Sequence, residues 1–223
     1  MDELIKKIRT DLRLSMNGVV STSMREKGLN YRMNFGVNIP ALRVMAKKYT
    51  PDKELAYKLW REDVRELKIL ATMLNPVSEF TLDDAQQWVK EIPNQEIREQ
   101  VCMNLFQKLD CADELVSKWI QSADDEVRTT GYWLFVRLLM IQKSKLNDQK
   151  KEEIVDKAIL DVENSSFFLN KAALEALKRV GRKNQSLADK VLDKLSDYKN
   201  ADDLEKREIY DSLTFEFELF REK

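Results

Sequence analysis

The stretch "DDEVRTTGYWLFVRLL", residues 124–139, opens with three acidic residues, sets Arg128 within one turn of them, and then runs apolar and aromatic. An aspartate ahead of an apolar run reads as a helix N-terminus, because its carboxylate accepts the unsatisfied amide hydrogens of the first turn. The arginine is the odd residue. It is either a pin between packed helices or one rung of a row facing a ligand. Whether it recurs decides whether it is a motif at all.

It recurs. From residue 51 the chain reads as pairs of helical segments. "PDKELAYKLWR" precedes "EDVRELKILATML", "TLDDAQQWVKEI" precedes "NQEIREQVCMNLFQKL", and "CADELVSKWIQS" precedes the opening stretch. "NDQKKEEIVDKAILDVE" with "SSFFLNKAALEALKRVG", and "QSLADKVLDKLSD" with "ADDLEKREIYDSLTFEFELF", continue the series. Val64-Arg65, Ile97-Arg98 and Val127-Arg128 each stand just inside the second helix of a pair, and Phe168-Leu169-Asn170-Lys171 takes that place in the fourth. The basic residues Arg65, Arg98, Arg128 and Lys171 are 33, 30 and 43 apart, the period of a helical-repeat solenoid. One helix pair cannot bury both of its faces, so the pairs must stack. The acid-then-Val-Arg signature resembles HEAT repeats, which implies second helices lining a concave side. The expected fold is therefore all-α: a HEAT-like helical-repeat solenoid, an α-α superhelix, curved with a concave face. It is read as a single domain over 1–223, with N-terminal helices at 1–49, helix-pair repeats over about 51–195 and a C-terminal capping segment at 196–223.

Composition agrees. Gly is scarce at 5 and Pro at 4, so turn-bounded strands have little to build on. The formal net charge of −1 does not announce nucleic acid, although a local basic face is independent of the total. The chain holds no histidine, which removes the usual metal ligand and the usual general base. No metal and no cofactor is expected. Cys102 and Cys111 do not make a disulfide framework and point to a reducing cytoplasm. No apolar run approaches the roughly 18 residues of a membrane helix, so no membrane association is expected, and a monomer is the simplest assembly.

Leu4, Ile5, Ile8 and Leu12 form the first apolar stripe, broken by "MNG" at 16–18. Gly28 reads as a C-cap, residues 29–40 as a loop, and Pro40 as the first turn of the next helix. Trp60, Trp88, Trp119 and Trp133 lie in apolar stripes and read as core. The C-terminal "FEFELF" alternates like a strand, but reads better as a last helix or capping tail with Phe215, Phe217, Leu219 and Phe220 over the end of the stack.

Two stretches are more specific: "NYRMNFGVNIPALRVMAKKY" (30–49), with its Asn-Tyr…Phe-Gly-Val…Pro-x-Leu-Arg…Ala-Lys pattern, and "ELAYKLWREDVRELKILATML" (54–74). Together they resemble the HEAT-like DNA alkylation repair family, the alkylpurine DNA glycosylases, over about residues 3–195. The resemblance implies a protein that binds duplex DNA on a basic concave face and, as a DNA N-glycosylase, excises N3- or N7-alkylated purines. It further implies a Trp and, four residues later, an Asp at the start of the helix that here reads "NQEIREQVCMNLF". Those places read Gln95 and Glu99. Glu keeps the carboxylate on a longer arm, and a misplacement of about 1 Å can cost about a hundredfold in rate. The family's phosphate-holding Arg pair reads Arg128 and Thr129, and its second Trp reads Glu175. A cationic base thereby loses aromatic faces worth roughly 0.5–2 kcal/mol each.

The candidate site is thus Glu99 for catalysis, with Arg65, Arg98, Arg128, Lys171, Lys178, Arg179, Arg182 and Lys183 for DNA. For the arginines, the simpler alternative is a pairing with acids of the neighbouring repeat that fixes stacking. For "LKRVGRKNQ" (177–185) it is a solvated helix end, where cations favour the dipole. Arg43 and Lys47, four apart on one helix face, read first as ordinary surface. Alternative functions are a non-catalytic DNA-binding relative and a HEAT-like protein–protein scaffold.

Overall fold

The computed structural model of the chain describes residues 1–221. Among them are thirteen α-helices, and extended pairing is limited to one isolated parallel bridge between Met33 and Val64. The helices gather into two compact units, Met1–Leu109 and Asp110–Lys223. Residues 222–223, the end of the expected capping segment, lie outside the described residues.

The first unit holds α1 (Asp2–Leu14), α2 (Gly18–Glu26), α3 (Ile39–Ala46), α4 (Lys53–Arg61), α5 (Arg65–Leu74), α6 (Leu82–Lys90) and α7 (Gln95–Asn104). The starts follow from side-chain caps. Asn17, Asn38, Asp52 and Asn94 each accept an amide hydrogen of the first turn, and Thr81 with Asp84 closes a reciprocal capping box. Each such cap stabilises its helix by about 1 kcal/mol. Pro40 lies in the first turn of α3. Gly28, at φ +86°, ends α2: its amide donates to Arg25 and that of Leu29 to Met24, the paired bonds of a Schellman motif. Helix α5 packs against α4, α3 and α7. Trp60 of α4 stacks on Trp88 of α6 at 4.2 Å with the rings 4° from parallel, and its indole N–H donates to Glu91 at 2.7 Å.

The second unit holds α8 (Ala112–Ile120), α9 (Asp125–Met140), α10 (Asp148–Asp161), α11 (Phe167–Gly181), α12 (Gln185–Lys194) and α13 (Leu204–Arg221). Helix α9 packs on α8 and α11, and α11 also on α10, α12 and α13. Gly131 lets α9 close on α8, since a Cβ there would stand 2.9 Å from the Ile120 backbone nitrogen. The strand-like C-terminal pattern is overridden: it forms α13, which buries Ile209, Leu213 and Phe217 at a helical spacing. Phe215 and Leu219 therefore face outward instead of covering the stack. Trp60, Trp88 and Trp119 are core residues, whereas Trp133 is only half-buried on α9.

Among the described residues the fold is all-α and built of repeated helix pairs. No helix among them is long and apolar enough to cross a membrane.

Candidate functional site

The arginines at the heads of the second helices are where the sequence placed a ligand-facing row. Arg65, Arg98 and Arg128 are 2%, 1% and 7% exposed, so an outward-facing row of guanidiniums is not what these helices build. Arg65 meets Glu96 bidentately, Nε to Oε2 at 2.9 Å and Nη2 to Oε1 at 2.6 Å. It also donates to the Val37 carbonyl at 2.7 Å and to Glu66 at 3.0 Å. Burial works against its charge, but the bonds and charges of Glu96 and Glu66 outweigh it, and the pKa is raised. Buried Glu66 in turn accepts the amides of Phe35 and Val37, which ties the loop at 29–38 to α5.

In the second unit Arg128 faces Asp125 at 2.6 Å and Asp161 at 3.2 Å, and donates to the Ser122 carbonyl at 2.8 Å. Tyr132 donates to the same Asp161 at 2.8 Å, and burial, then that carboxylate, pushes the phenol pKa up. The reason is electrostatic. A guanidinium in the first turn of a packed helix is taken out of water, and only paired acceptors make that tolerable. Glu96 and Asp161 supply them from the following helix pair. The pin is the reading the geometry gives.

Glu99 is different. It is exposed on α7, and Gln95, one turn before it, is half-buried. The Gln95 carboxamide accepts from Arg98 Nη1 at 2.6 Å and donates to Glu99 Oε1 at 3.0 Å. Met103 continues the same face, and Arg43 of α3 reaches its sulfur at 3.6 Å. Arg43 and Lys47 are exposed, and among the described residues neither has a carboxylate at ion-pair distance. The approach of unneutralised Arg43 to the α7 face was not read from the sequence. Its signal, the four-residue spacing of Arg43 and Lys47, does not say which helix Arg43 meets.

On α11 the predicted cations separate. Lys178 lies 3.7 Å from Glu175. Arg182 is paired with Glu216 and lies 4.7 Å over the Phe220 ring. Arg179 is half-buried, and burial, then the charge of Arg182, lowers its pKa. Lys171 and Lys183 are exposed with no carboxylate at ion-pair distance among the described residues. Cys102 is buried and Cys111 half-exposed, both thiols. Among the described residues no group of three or more Cys, Asp or Glu is gathered so that it could hold a metal ion.

Residues 8–210 match the family model of the DNA alkylation repair enzyme. The chain belongs to the DNA alkylation repair family. A solved structure from a family related to the HEAT-like repeat DNA glycosylases, with affinity for branched DNA structures, superposes with a TM-score of 0.78. It covers 97% of this chain and 94% of its own at 18% identity, a likeness of fold. A designed armadillo repeat protein aligns over 86% of this chain and 97% of its own, at 13% identity and a TM-score of 0.38. No curated protein matches this member of the alkylation repair family in sequence.

Proposed function

We propose that this protein binds duplex DNA, and that excision of N3- or N7-alkylated purines is weak in it compared with family members that carry Trp and Asp at the places of Gln95 and Glu99. The observation that carries this reading is the α3–α7 face. Arg43 offers an unneutralised cation beside α7, where exposed Glu99 stands between half-buried Gln95 and Met103, and the unneutralised Lys47 follows it four residues on. Cations of this kind bind phosphates by displacing counterions, which makes affinity fall steeply with salt. Lys171 and Lys183 serve the same purpose in the second unit. Arg65, Arg98 and Arg128 act at one remove, by fixing the helices that carry these groups.

A carboxylate beside the sugar stabilises the positive charge that develops as the glycosidic bond breaks. Glu99 keeps that charge, but Gln95 holds it by a hydrogen bond where the family places an aromatic face. Weak excision follows from the missing faces and the longer arm. A second reading, in which Glu99 retains full activity, is favoured by its exposure. A scaffold that ignores nucleic acid is favoured by the net charge of −1. The two thiols suit a reducing cytoplasm, and the reading requires neither cofactor nor partner chain.

The test has two arms. Dissociation constants for a blunt duplex and for branched DNA are measured across a salt series. Release of 7-methylguanine and 3-methyladenine is measured for the wild type and Glu99→Gln, beside an active relative. Salt-dependent binding with slow release that disappears in Glu99→Gln is the expected result. Release as fast as the relative's supports the second reading, and no DNA binding at low salt leaves the scaffold.

A further inference from the structure

Phe167 and Phe168 open α11 with 62% and 43% of their surface exposed, although phenylalanine is among the residues most often buried. Their rings meet edge to face at 5.5 Å, and Lys171 Nζ lies 4.3 Å from the Phe167 centroid. Phe167 forms part of the wall of an open cleft of about 520 Å³ within the second unit, a size that suits a small-molecule group such as a nucleotide. Buried Val162 and Ile209 supply apolar lining.

The charges of the cleft come from different elements. Lys171 stands on α11, whereas Asp203 and Glu205 stand at the head of α13. Glu163 is already neutralised: Lys206 lies 2.7 Å away and Tyr198 donates to it, which together hold its carboxyl below the usual range. Asp203 and Glu205 are exposed acceptors, and neither has a cation at ion-pair distance among the described residues. Carboxylates there repel a phosphate but accept from an amino group. An aromatic face, one cation and unneutralised acceptors match the three parts of a nucleotide: the π-face, the phosphate and the amino edge of the base.

We infer that this cleft takes an unpaired, amine-bearing nucleobase of a single-stranded arm or branch in DNA. Phe167 stacks the base, Lys171 leaves the ring for the phosphate, and Asp203 and Glu205 accept from the exocyclic amine. The inference rests on the DNA-binding reading above and extends it from duplex to unpaired strand.

The experiment compares a blunt duplex with a forked duplex of the same sequence. The unpaired arm carries either 2-aminopurine or thymine. The expected result is tighter binding of the 2-aminopurine fork, with its fluorescence quenched by stacking. Phe167→Ala should then lose roughly five- to hundredfold of fork affinity while leaving blunt-duplex affinity unchanged. Phe167→Trp should restore both binding and quenching. Since Phe167 is exposed, circular dichroism and the thermal midpoint of both variants should match the wild type. Duplex binding without fork preference, or a preference that survives Phe167→Ala, overturns the cleft assignment alone. No binding of any probe by the wild type overturns the DNA reading and the cleft with it.

Discussion

The Gln95 carboxamide joins a buried charge to an exposed one: its oxygen accepts from Arg98 Nη1 at 2.6 Å and its nitrogen donates to Glu99 at 3.0 Å. The one carboxamide is used on both ends. Gln95→Leu removes an acceptor from a guanidinium that is 1% exposed. It should destabilise the protein by about 1–3 kcal/mol, read from urea unfolding. Gln95→Glu, which keeps an acceptor for Arg98, should stay within about 1 kcal/mol of the wild type. A Leu variant as stable as the wild type would show that Arg98 does not depend on this bond.

The pin reading makes a stronger claim for Arg128 and Asp161, whose side chains are 8% and 5% exposed at 3.2 Å. Asp161→Ala takes away the more deeply buried of the two carboxylates on Arg128, leaving the half-exposed Asp125, and leaves the Tyr132 hydroxyl without its acceptor. Breaking a buried pair from one side costs about 3–5 kcal/mol, and the Asp125 that stays on Arg128 puts the expected loss at the lower end of that range. A double variant, Arg128→Met with Asp161→Leu, should recover much of that loss. Equal losses in the single and double variants would mean the charges are not what holds α9 to α10.

The helix pairs were legible because their signals are local. Acids and asparagines sit at the caps, Pro40 and Gly28 at a start and a stop, and Trp60, Trp88 and Trp119 on apolar stripes. The direction of the arginines was not legible. A first-turn arginine has the same register whether it faces a groove or a neighbour. What decides is a carboxylate about one repeat away, Glu96 for Arg65 and Asp161 for Arg128, and nothing near the arginine announces it. The same holds for Glu66, which organises the 29–38 loop from α5. Gln95 and Glu99 could be placed on one face from their spacing, but the bond between them and the approach of Arg43 required the packed helices.

Asp84 ties stability to pH. Burial alone would raise its pKa, but bonds from Lys53, Tyr57 and the Thr81 cap outweigh burial and lower it from 3.8 to about 2. A folded-state pKa below the unfolded value means that protons bind the unfolded chain more tightly. The contribution is therefore full above the unfolded pKa and is lost as pH falls through the folded one. About 2 kcal/mol should disappear between pH ~4 and ~2, since the Asp84 side chain is only 17% exposed. Unfolding free energies for wild type and Asp84→Asn measured over that range should converge at the acid end. Parallel curves would assign the acid sensitivity to other carboxylates.

Arg43 and Lys47 separate phosphate contact from structural support. Each exposed cation that meets a phosphate adds about 0.9 to the slope of log affinity against log salt on duplex DNA. Arg43→Ala and Lys47→Ala should each lower the magnitude of that slope by about 0.9, and the double variant by about 1.8, with the same effect on unrelated sequences. Neither side chain has a carboxylate partner among the described residues, so thermal stability should hardly move. Arg65→Lys is the counterpart. It breaks the bidentate meeting with Glu96 beneath the surface, so it should lower the thermal midpoint and leave the slope of the surviving folded protein unchanged. If instead the slope changes in Arg65→Lys and not in the two α3 variants, the DNA face lies with the buried series, and the helices must open to expose it.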